Sequence, residues 1–576
     1  MGLNFINKLT KSASPSYDEK ERENVSVNSA DGLGTEPRIL EAGDPHGSDS
    51  SILNLGNGEI IDKTSDDRKQ IGVMSAVFLI FNRMVGTGIF ATPSTIYLLS
   101  GSVGLALIMW VVGALIAGAG LMVYLEWGTT IPKNGGEKNY LEYVYRKPKF
   151  LITAMFASYV FLLGWAAPNS VIFGEYILNA AEVEVTRWNQ RGIGLGCLSF
   201  CFLIHSVSVK WGLRLQNFLG VFKLIVIALI TIVGWIALGG GLKHVKDPHA
   251  NFRNAFSGSE KATGYGIVMA LYNVIWSFIG YSNANYALSE AKNPVRTLKI
   301  AGPLALIMVA IFYMFCNISY FAVVPRDQIG QSGRILAATF FRVAFNESAE
   351  KAMSVFVALS ALGNVLSVIF SQGRIIQELG REGVLPFSSF FASNKPFNSP
   401  FPGLFEHYCV SIVILLAPPP GDAYNFISNL ITYPLSAINV VVSLGLLWVH
   451  FDKWRHARNP DLPPSIFADF NPPIKATIPV TVFFMLASLY LVVAPFLSPD
   501  ADQSVYKDLP YWLHCVVGIA LFAAGAVYWL FWAIICPKLF NYKLVKQTVI
   551  GSDGWSRTVI NRVKKDEVAD AAGDAF

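Results

Sequence analysis

Twelve long apolar segments, each close to the length that crosses a lipid bilayer, constrain this sequence more than any other feature. A helix needs roughly 20 mostly apolar residues to span the hydrocarbon core. Only 15% of the residues are charged, which is low for a water-soluble protein. We therefore predict an all-α integral membrane protein with twelve transmembrane helices. The predicted spans are 71–99, 103–128, 150–180, 192–209, 213–240, 264–288, 298–323, 352–375, 401–417, 423–448, 474–497 and 510–536.

The two ends of the chain are polar. Residues 1–70 are rich in Ser, Asp, Glu, Asn and Lys and have no apolar signal-peptide segment, which predicts a disordered tail. Residues 537–576 form a second tail. The loop after the second span, "PKNGGEKNYLEYVYRKPK", is basic, whereas "SGSVG" after the first span is uncharged. Because basic loops stay on the cytoplasmic side, we expect both tails to be cytoplasmic, in a multi-pass protein of the plasma membrane.

Several function classes are disfavoured by what the sequence lacks. The net charge of +5 lies mostly in tails and loops and gives no case for nucleic-acid binding. A channel should show repeated filter loops or charge rings, and a membrane enzyme should show clustered acids, histidines or cysteines. Neither pattern is present, so we expect no enzyme activity, no metal and no cofactor. We also expect no disulfide framework, because all six cysteines fall in or at the ends of predicted spans: Cys197, Cys201, Cys316, Cys409, Cys515 and Cys536.

Two predicted spans are interrupted. The first contains "VGTGIF" at 85–90, and the sixth turns polar at "FIGYSNAN", 278–285. Irregular backbone is tolerated in a membrane only where protein buries it or where it lines a wet cavity. Interrupted segments at corresponding positions of two halves indicate a transporter site. We therefore predict two inverted five-helix repeats, 71–240 and 264–448, with unwound helices 1 and 6, followed by helices 11 and 12 in 474–536.

The interruptions also indicate a ligand class. Free backbone N–H groups at the start of a half-helix suit a carboxylate, and free carbonyls at the end of one suit an ammonium group. A site with both suits a zwitterion such as an amino acid. We expect the N–H groups from Thr87 to Ile89, with the Thr87 hydroxyl, to bind the carboxylate. The carbonyls expected to bind the ammonium are those near Val85, Trp276, Ser277 and Ile279. The predicted substrate-binding residues are Val85, Gly86, Thr87, Gly88, Ile89, Trp276, Ser277, Phe278, Ile279 and Gly280.

Four ordered blocks resemble a known family: "VGTGIFATPS", "YLEWGTTIPKNGGEKNYLE", "SNANYALSEAKNPVRTLKIAGPLAL" and "SQGRIIQELGREGVLP". They resemble amino acid permeases of the amino acid–polyamine–organocation superfamily, within it the L-type branch, and the fungal methionine permeases in particular. The resemblance implies alternating access and proton-driven import of neutral L-amino acids, methionine first. Amino acid exchange and transport of a polyamine or another organocation stay open as alternatives, although the interruptions carry no acidic side chain that a polyamine would favour.

The resemblance also implies roles for single residues. Trp276 takes the aromatic gate position, and Ile279 stands where the family commonly has a smaller residue, which narrows the pocket. Lys223 matches a lysine that the family places against the unwound first helix, although it could instead extend to the membrane interface. Ser367 and Ser371 stand where sodium-coupled relatives use hydroxyls. We therefore assign Lys223, Ser367 and Ser371 to coupling.

Further expectations concern partners and loops. L-type transporters join a heavy chain through a cysteine between spans three and four, and "AAEVEVTRWNQRG" has none, so we expect no disulfide-linked heavy chain. "GREGVLP" after the eighth span is predicted to be a cytoplasmic gate loop. Glu126 is expected to pair with an arginine or lysine of a loop, and Glu175 to lie at the interface. Asn346 begins a glycosylation sequon in a loop predicted to be outside.

Overall fold

Helices make up most of the computed structural model. It describes residues 72–131, 135–283, 285, 293–419, 421–459, 461–499, 504–550 and 556–564, preceded by the strands β1 (Arg38–Ile39), β2 (Ile52–Asn54) and β3 (Ile60–Asp62). The helices from residue 72 to residue 240 are α1 (Val73–Met84), α2 (Gly88–Ala91), α3 (Pro93–Ser100), α4 (Val103–Thr130), α5 (Glu137–Val144), α6 (Leu151–Leu162), α7 (Ala167–Ala180), α8 (Arg187–Val207) and α9 (Val209–Leu238).

The second part of the chain continues the helical pattern and ends in two strands. Its helices are α10 (Gly264–Phe278), α11 (Pro294–Val323), α12 (Arg326–Gln331), α13 (Leu336–Ala344), α14 (Glu347–Arg381), α15 (Ser388–Ala392), α16 (Phe401–Leu416), α17 (Ala423–Arg458), α18 (Ile478–Val493), α19 (Leu513–Trp529) and α20 (Cys536–Leu539). The strands are β4 (Tyr542–Ile550) and β5 (Ser556–Lys564). Single turns of 3₁₀-helix lie at Ser259–Lys261, Gly333–Ile335 and Ala494–Phe496, and one π-helical turn lies at Leu530–Ile535.

The predicted membrane character is confirmed. Within the described residues, nine helical segments are long and apolar enough to cross a membrane. The other three predicted spans coincide with α8, α10 and α16, of which α10 and α16 have only 15 and 16 residues. Each of the twelve predicted spans thus overlaps a helix, while the exact span count and the inverted repeat stay predictions.

The long helices pack in two groups. In the first group, α7 lies against α8 and α14, and α16 lies against α8 and α14. In the second, α11 lies against α1 and α4, and α10 lies against α3 and α4. Helix α9 contacts both groups, through α11 and α14. A side chain on the inner face of α9 can therefore reach the first interrupted span.

The C-terminal segment forms a β-hairpin where we predicted only a tail. Strands β4 and β5 pair antiparallel along their whole length, and β1 pairs antiparallel with the far end of β4. Apart from β1, β2 and β3, the predicted disorder of residues 1–70 lies outside the described residues.

Candidate functional site

The first interrupted span breaks at the predicted position. Helix α1 ends at Met84, Val85 has a non-helical ψ of 88°, and α2 begins at Gly88. Among the described residues, no acceptor binds the backbone N–H groups of Thr87, Gly88 and Ile89. All of these residues are buried. The break therefore presents three unsatisfied donors inside the protein, where such groups are costly without a partner.

The second break follows α10. Gly280 has φ 127°, a left-handed conformation that favours glycine, and a Cβ there would lie 2.6 Å from Arg83 Cγ. Among the described residues, no donor reaches the carbonyls of Phe278 and Ile279. The expected continuation of this span through 286–292 lies outside the described residues.

The two breaks meet at Gly88 and Ser277. A Cβ on Gly88 would lie only 2.8 Å from the Ser277 Cα. The two backbones are therefore so close at this point that a side chain larger than that of glycine does not fit between them. Tyr313 from α11 joins them as well, because its hydroxyl lies 2.8 Å from the Met84 carbonyl oxygen and 3.0 Å from that of Ser277. The structure thus brings the residues predicted from two distant segments into one place.

Lys223 lies beside the first break. Its Nζ donates to the Val85 carbonyl oxygen at 2.9 Å and to that of Asn82 at 3.4 Å, and the side chain is only 1% exposed. Within the described part of the chain, no carboxylate forms an ion pair with this lysine. It does not extend to the membrane interface, which removes that alternative. Its Cε lies 3.3 Å from where a Cβ on Gly363 of α14 would be.

The two serines assigned to coupling are less directly placed. Ser367 is buried and lies one turn beyond Gly363 on α14. Ser371 is half-buried, and its hydroxyl donates to the Val368 carbonyl of its own helix at 3.1 Å. Neither forms a hydrogen bond with Lys223 in the described structure.

Three polar residues that we did not predict complete the site. The Thr87 hydroxyl donates to Asn169 Oδ1 at 2.8 Å, and Asn169 Nδ2 donates to Asn364 Oδ1 at 3.0 Å. Trp276 Nε1 donates to the Tyr424 hydroxyl at 3.0 Å. Amide side chains within apolar spans were the available signal, since polar groups at membrane depth need a partner.

An ion pair between Arg334 and Glu175 lies beside the site, near α3 and α7. Arg334 Nε lies 2.8 Å from Glu175 Oε2, and Arg334 also donates to the Gly421 carbonyl at 3.1 Å. Burial alone lowers the pKa of Arg334, but the Glu175 carboxylate outweighs burial and raises it above its ordinary value. The Tyr176 hydroxyl lies 2.9 Å from the Arg334 carbonyl oxygen and 3.2 Å from that of Phe90, which connects the second part of the first span to this pair. Glu175 is therefore a structural partner rather than merely interfacial.

A second charged cluster lies at the opposite end, around the predicted gate loop. Lys138 pairs with Glu382 and, at 3.5 Å, with Glu142, which Lys546 of β4 contacts at 3.0 Å. Burial alone raises the pKa of Glu142, but the two lysines outweigh it and lower this pKa to about 2. The Ile560 N–H donates to the Glu382 carbonyl at 2.8 Å. The C-terminal hairpin is thus bound to the loop that carries "GREGVLP".

Glu126 does not pair with a lysine or arginine in the described structure, contrary to our expectation. Its Oε2 accepts the Ala476 N–H at 2.7 Å, and its Oε1 lies 2.9 Å from His450 Nε2. This buried carboxylate therefore joins α4 to α17 and to the segment before α18. The described residues contain no group of three or more His, Cys, Asp or Glu side chains that could hold a metal ion.

Comparisons with known proteins place this chain among amino acid transporters. Residues 71–522 match the family of amino acid permeases. The chain is 54% identical over 568 residues to the high-affinity methionine permease of Saccharomyces cerevisiae, covering 99% of this chain and 94% of that protein. It is 32% identical over 495 residues to the low-affinity methionine permease of the same yeast, covering 84% and 86%. It is also 30% identical over 451 residues to the b(0,+)-type amino acid transporter 1 of Rattus norvegicus, covering 77% and 86%.

Proposed function

The chain belongs to the amino acid permease family, and from this premise we propose that it imports neutral L-amino acids, methionine above all, across the plasma membrane. It is a transporter and not an enzyme. The observation that carries the proposal is the meeting of the two interrupted spans at Gly88 and Ser277. Among the described residues, the first break has backbone donors without an acceptor and the second has carbonyls without a donor. Methionine is the choice because the chain is 54% identical to a high-affinity methionine permease over almost its whole length.

In the proposed binding mode, the substrate lies between the two breaks. Its carboxylate accepts from the backbone N–H groups of Thr87, Gly88 and Ile89. Its ammonium donates to the carbonyls of Phe278 and Ile279. The Val85 and Ser277 carbonyls, which we also expected to bind the ammonium, already accept from Lys223 and Tyr313, so they are weaker candidates.

Trp276 is the proposed outer gate. Its indole N–H donates to the Tyr424 hydroxyl, and it lies in the last turn of α10, next to the second break. Transport by alternating access then requires the gate and the Arg334–Glu175 pair to open on one side and the charged cluster at Glu142 to open on the other. The linear side chain of methionine suits a pocket that Ile279 narrows.

Proton coupling through Lys223 is the proposed energy source. In the described structure, the buried Lys223 ammonium donates to carbonyls at the break. Loss of its proton would remove a positive charge from this place, so that the charged and neutral states favour different arrangements of the break. Exchange of amino acids is the second candidate, since it needs the same substrate site but no proton. We propose that the permease works without a disulfide-linked heavy chain, because the α7–α8 connection carries no cysteine.

The test is uptake of radiolabelled methionine by cells that lack their own methionine uptake and express this chain. Each unlabelled amino acid and two polyamines serve as competitors. We expect saturable uptake that unlabelled methionine and other neutral linear amino acids suppress, and that a protonophore reduces. Absence of saturable methionine uptake, or stronger suppression by polyamines than by any neutral amino acid, would overturn the substrate assignment. Uptake that requires internal amino acid and ignores the protonophore would favour exchange.

A further inference from the structure

A directed chain of hydrogen bonds runs through the centre of the site. The Thr87 hydroxyl donates to Asn169 Oδ1 at 2.8 Å. The Asn169 amide nitrogen in turn donates to Asn364 Oδ1 at 3.0 Å. An amide oxygen can only accept, so the bond between Thr87 and Asn169 uses the threonine proton. Both bonds therefore run in one direction, with Thr87 as the first donor.

This direction decides what the Thr87 hydroxyl can offer to a substrate. A hydroxyl has one proton and two lone pairs. Its proton is used by Asn169. The two lone pairs remain, and they can accept hydrogen bonds but cannot donate one. A carboxylate needs a donor, whereas an ammonium group needs an acceptor.

The asparagine pair keeps this arrangement in place. Asn169 lies on α7 and Asn364 on α14, two helices that pack directly against each other. Both side chains are 3% exposed. The Asn364 amide also lies against the break, because a Cβ on Gly86 would be 2.7 Å from its Nδ2. Two buried amides fixed by packing leave the Thr87 hydroxyl little freedom to rotate.

We propose that Asn169, held by Asn364, is a positioning residue that makes the Thr87 hydroxyl an acceptor for the substrate's ammonium group and not a donor to its carboxylate. This inference rests on the proposed function and refines it. The carboxylate is then left to the backbone N–H groups alone. The hydroxyl that our sequence analysis assigned to the carboxylate instead serves the opposite end of the zwitterion.

The experiment separates the two ends of the substrate. Binding to purified protein is measured by ligand-induced thermal stabilisation with three probes: methionine, 3-(methylthio)propylamine, which lacks the carboxylate, and 4-(methylthio)butanoate, which lacks the ammonium. Thr87→Val removes the hydroxyl at nearly constant volume. We expect it to weaken binding of methionine and the amine by roughly 10-fold or more, the usual effect of losing a hydrogen bond to a charged group, and to change butanoate binding by less than about twofold.

Asn169→Leu tests the positioning step. Without its acceptor, the Thr87 proton becomes available to the carboxylate, so the ratio of amine to butanoate affinity should fall although Thr87 is still present. Thr87→Ser, which keeps the hydroxyl, should preserve the wild-type ratio. The ratio compares two ligands in one protein, so differences in yield or stability between variants cancel.

The outcomes are distinct. If Thr87→Val weakens the butanoate and spares the amine, or if it weakens both equally, the inference is wrong while methionine binding by the wild type still supports the proposed function. An unchanged ratio in Asn169→Leu contradicts the positioning role of Asn169. If the wild type binds no methionine, the proposed function itself fails and the inference fails with it.

Discussion

The Lys223 ammonium lies 2.9 Å from the carbonyl oxygen of Val85, inside the interruption of the first span. The residues are 138 positions apart in the chain, and the contact exists because α9 packs between the two groups of helices. Removing a charged group from water costs several kcal/mol unless polar partners replace the water. Here the free carbonyls of a broken helix are those partners, so the break stabilises the buried lysine.

The first prediction concerns coupling. We expect Lys223→Ala to retain methionine binding and one-for-one exchange but to lose the pH dependence of net uptake, because the group that gains and loses the proton is absent. The measurement is uptake against external pH, with and without internal methionine, normalised to surface protein. Lys210→Ala, an exposed lysine at the start of the same helix, is the control. Wild-type pH dependence in Lys223→Ala would rule out the coupling role.

The crossing of the two breaks gives a second prediction. Gly88→Ala adds a Cβ that would lie 2.8 Å from the Ser277 Cα, closer than side-chain carbons approach a backbone. The helices must separate, so we expect methionine uptake to fall at least about tenfold, with a lower thermal stability as well. Gly196→Ala, where nothing lies within 4 Å of the added carbon, should leave both quantities unchanged. Normal uptake by Gly88→Ala would mean that this crossing is not needed for transport.

The gate gives a third prediction. Trp276→Phe keeps an aromatic ring but removes the N–H that donates to Tyr424, and Tyr424→Phe removes the other partner of the same bond. We expect each change to raise the half-saturation concentration for methionine about 2- to 10-fold. The double variant should raise the half-saturation concentration by no more than either single change does, because both changes remove the same hydrogen bond. Trp235→Phe, an exposed tryptophan, is the control. Fully additive effects would show that the two residues act independently.

Stability in acid gives a fourth prediction. The pKa of Glu142 is lowered from 4.5 to about 2, so its ionised form contributes stability at pH above 4.5. This contribution should be lost as the pH falls from about 4.5 towards 2, because protonation removes the attraction to Lys138 and Lys546. At neutral pH, Glu142→Gln should destabilise the protein by on the order of 3 kcal/mol, since it leaves both lysines without this carboxylate.

The measurement for Glu142 is the midpoint of thermal unfolding of the purified protein at neutral and acidic pH. Glu142→Gln should show a smaller loss of stability on acidification than the wild type does. Glu184→Gln, an exposed acid in the α7–α8 connection, should behave as the wild type at both values. Equal acid sensitivity in Glu142→Gln and wild type would contradict the role of this cluster.

Much of the fold and part of the site could be predicted from the sequence, because these features depend on short stretches of consecutive residues. A run of apolar residues becomes a helix whatever its neighbours are, since the bilayer leaves the backbone few other ways to satisfy its hydrogen bonds. The interruption at Gly86 and Gly88 was also predictable, because it depends on a few consecutive residues. The C-terminal hairpin was missed, although the alternation in Tyr542–Ile550 and Ser556–Lys564 is a local strand signal.

The partners of these local features were decided by tertiary structure. Asn169, Asn364 and Tyr424 come from three helices that are distant in the chain, and nothing in the segment around Thr87 specifies which of them it meets. The sequence alone therefore determined that Thr87 lies at a break in a membrane helix and that the break needs polar partners. Only the packing of the helices decided that its hydroxyl donates to Asn169, because a hydroxyl proton goes to whichever acceptor the surrounding helices bring within 3 Å.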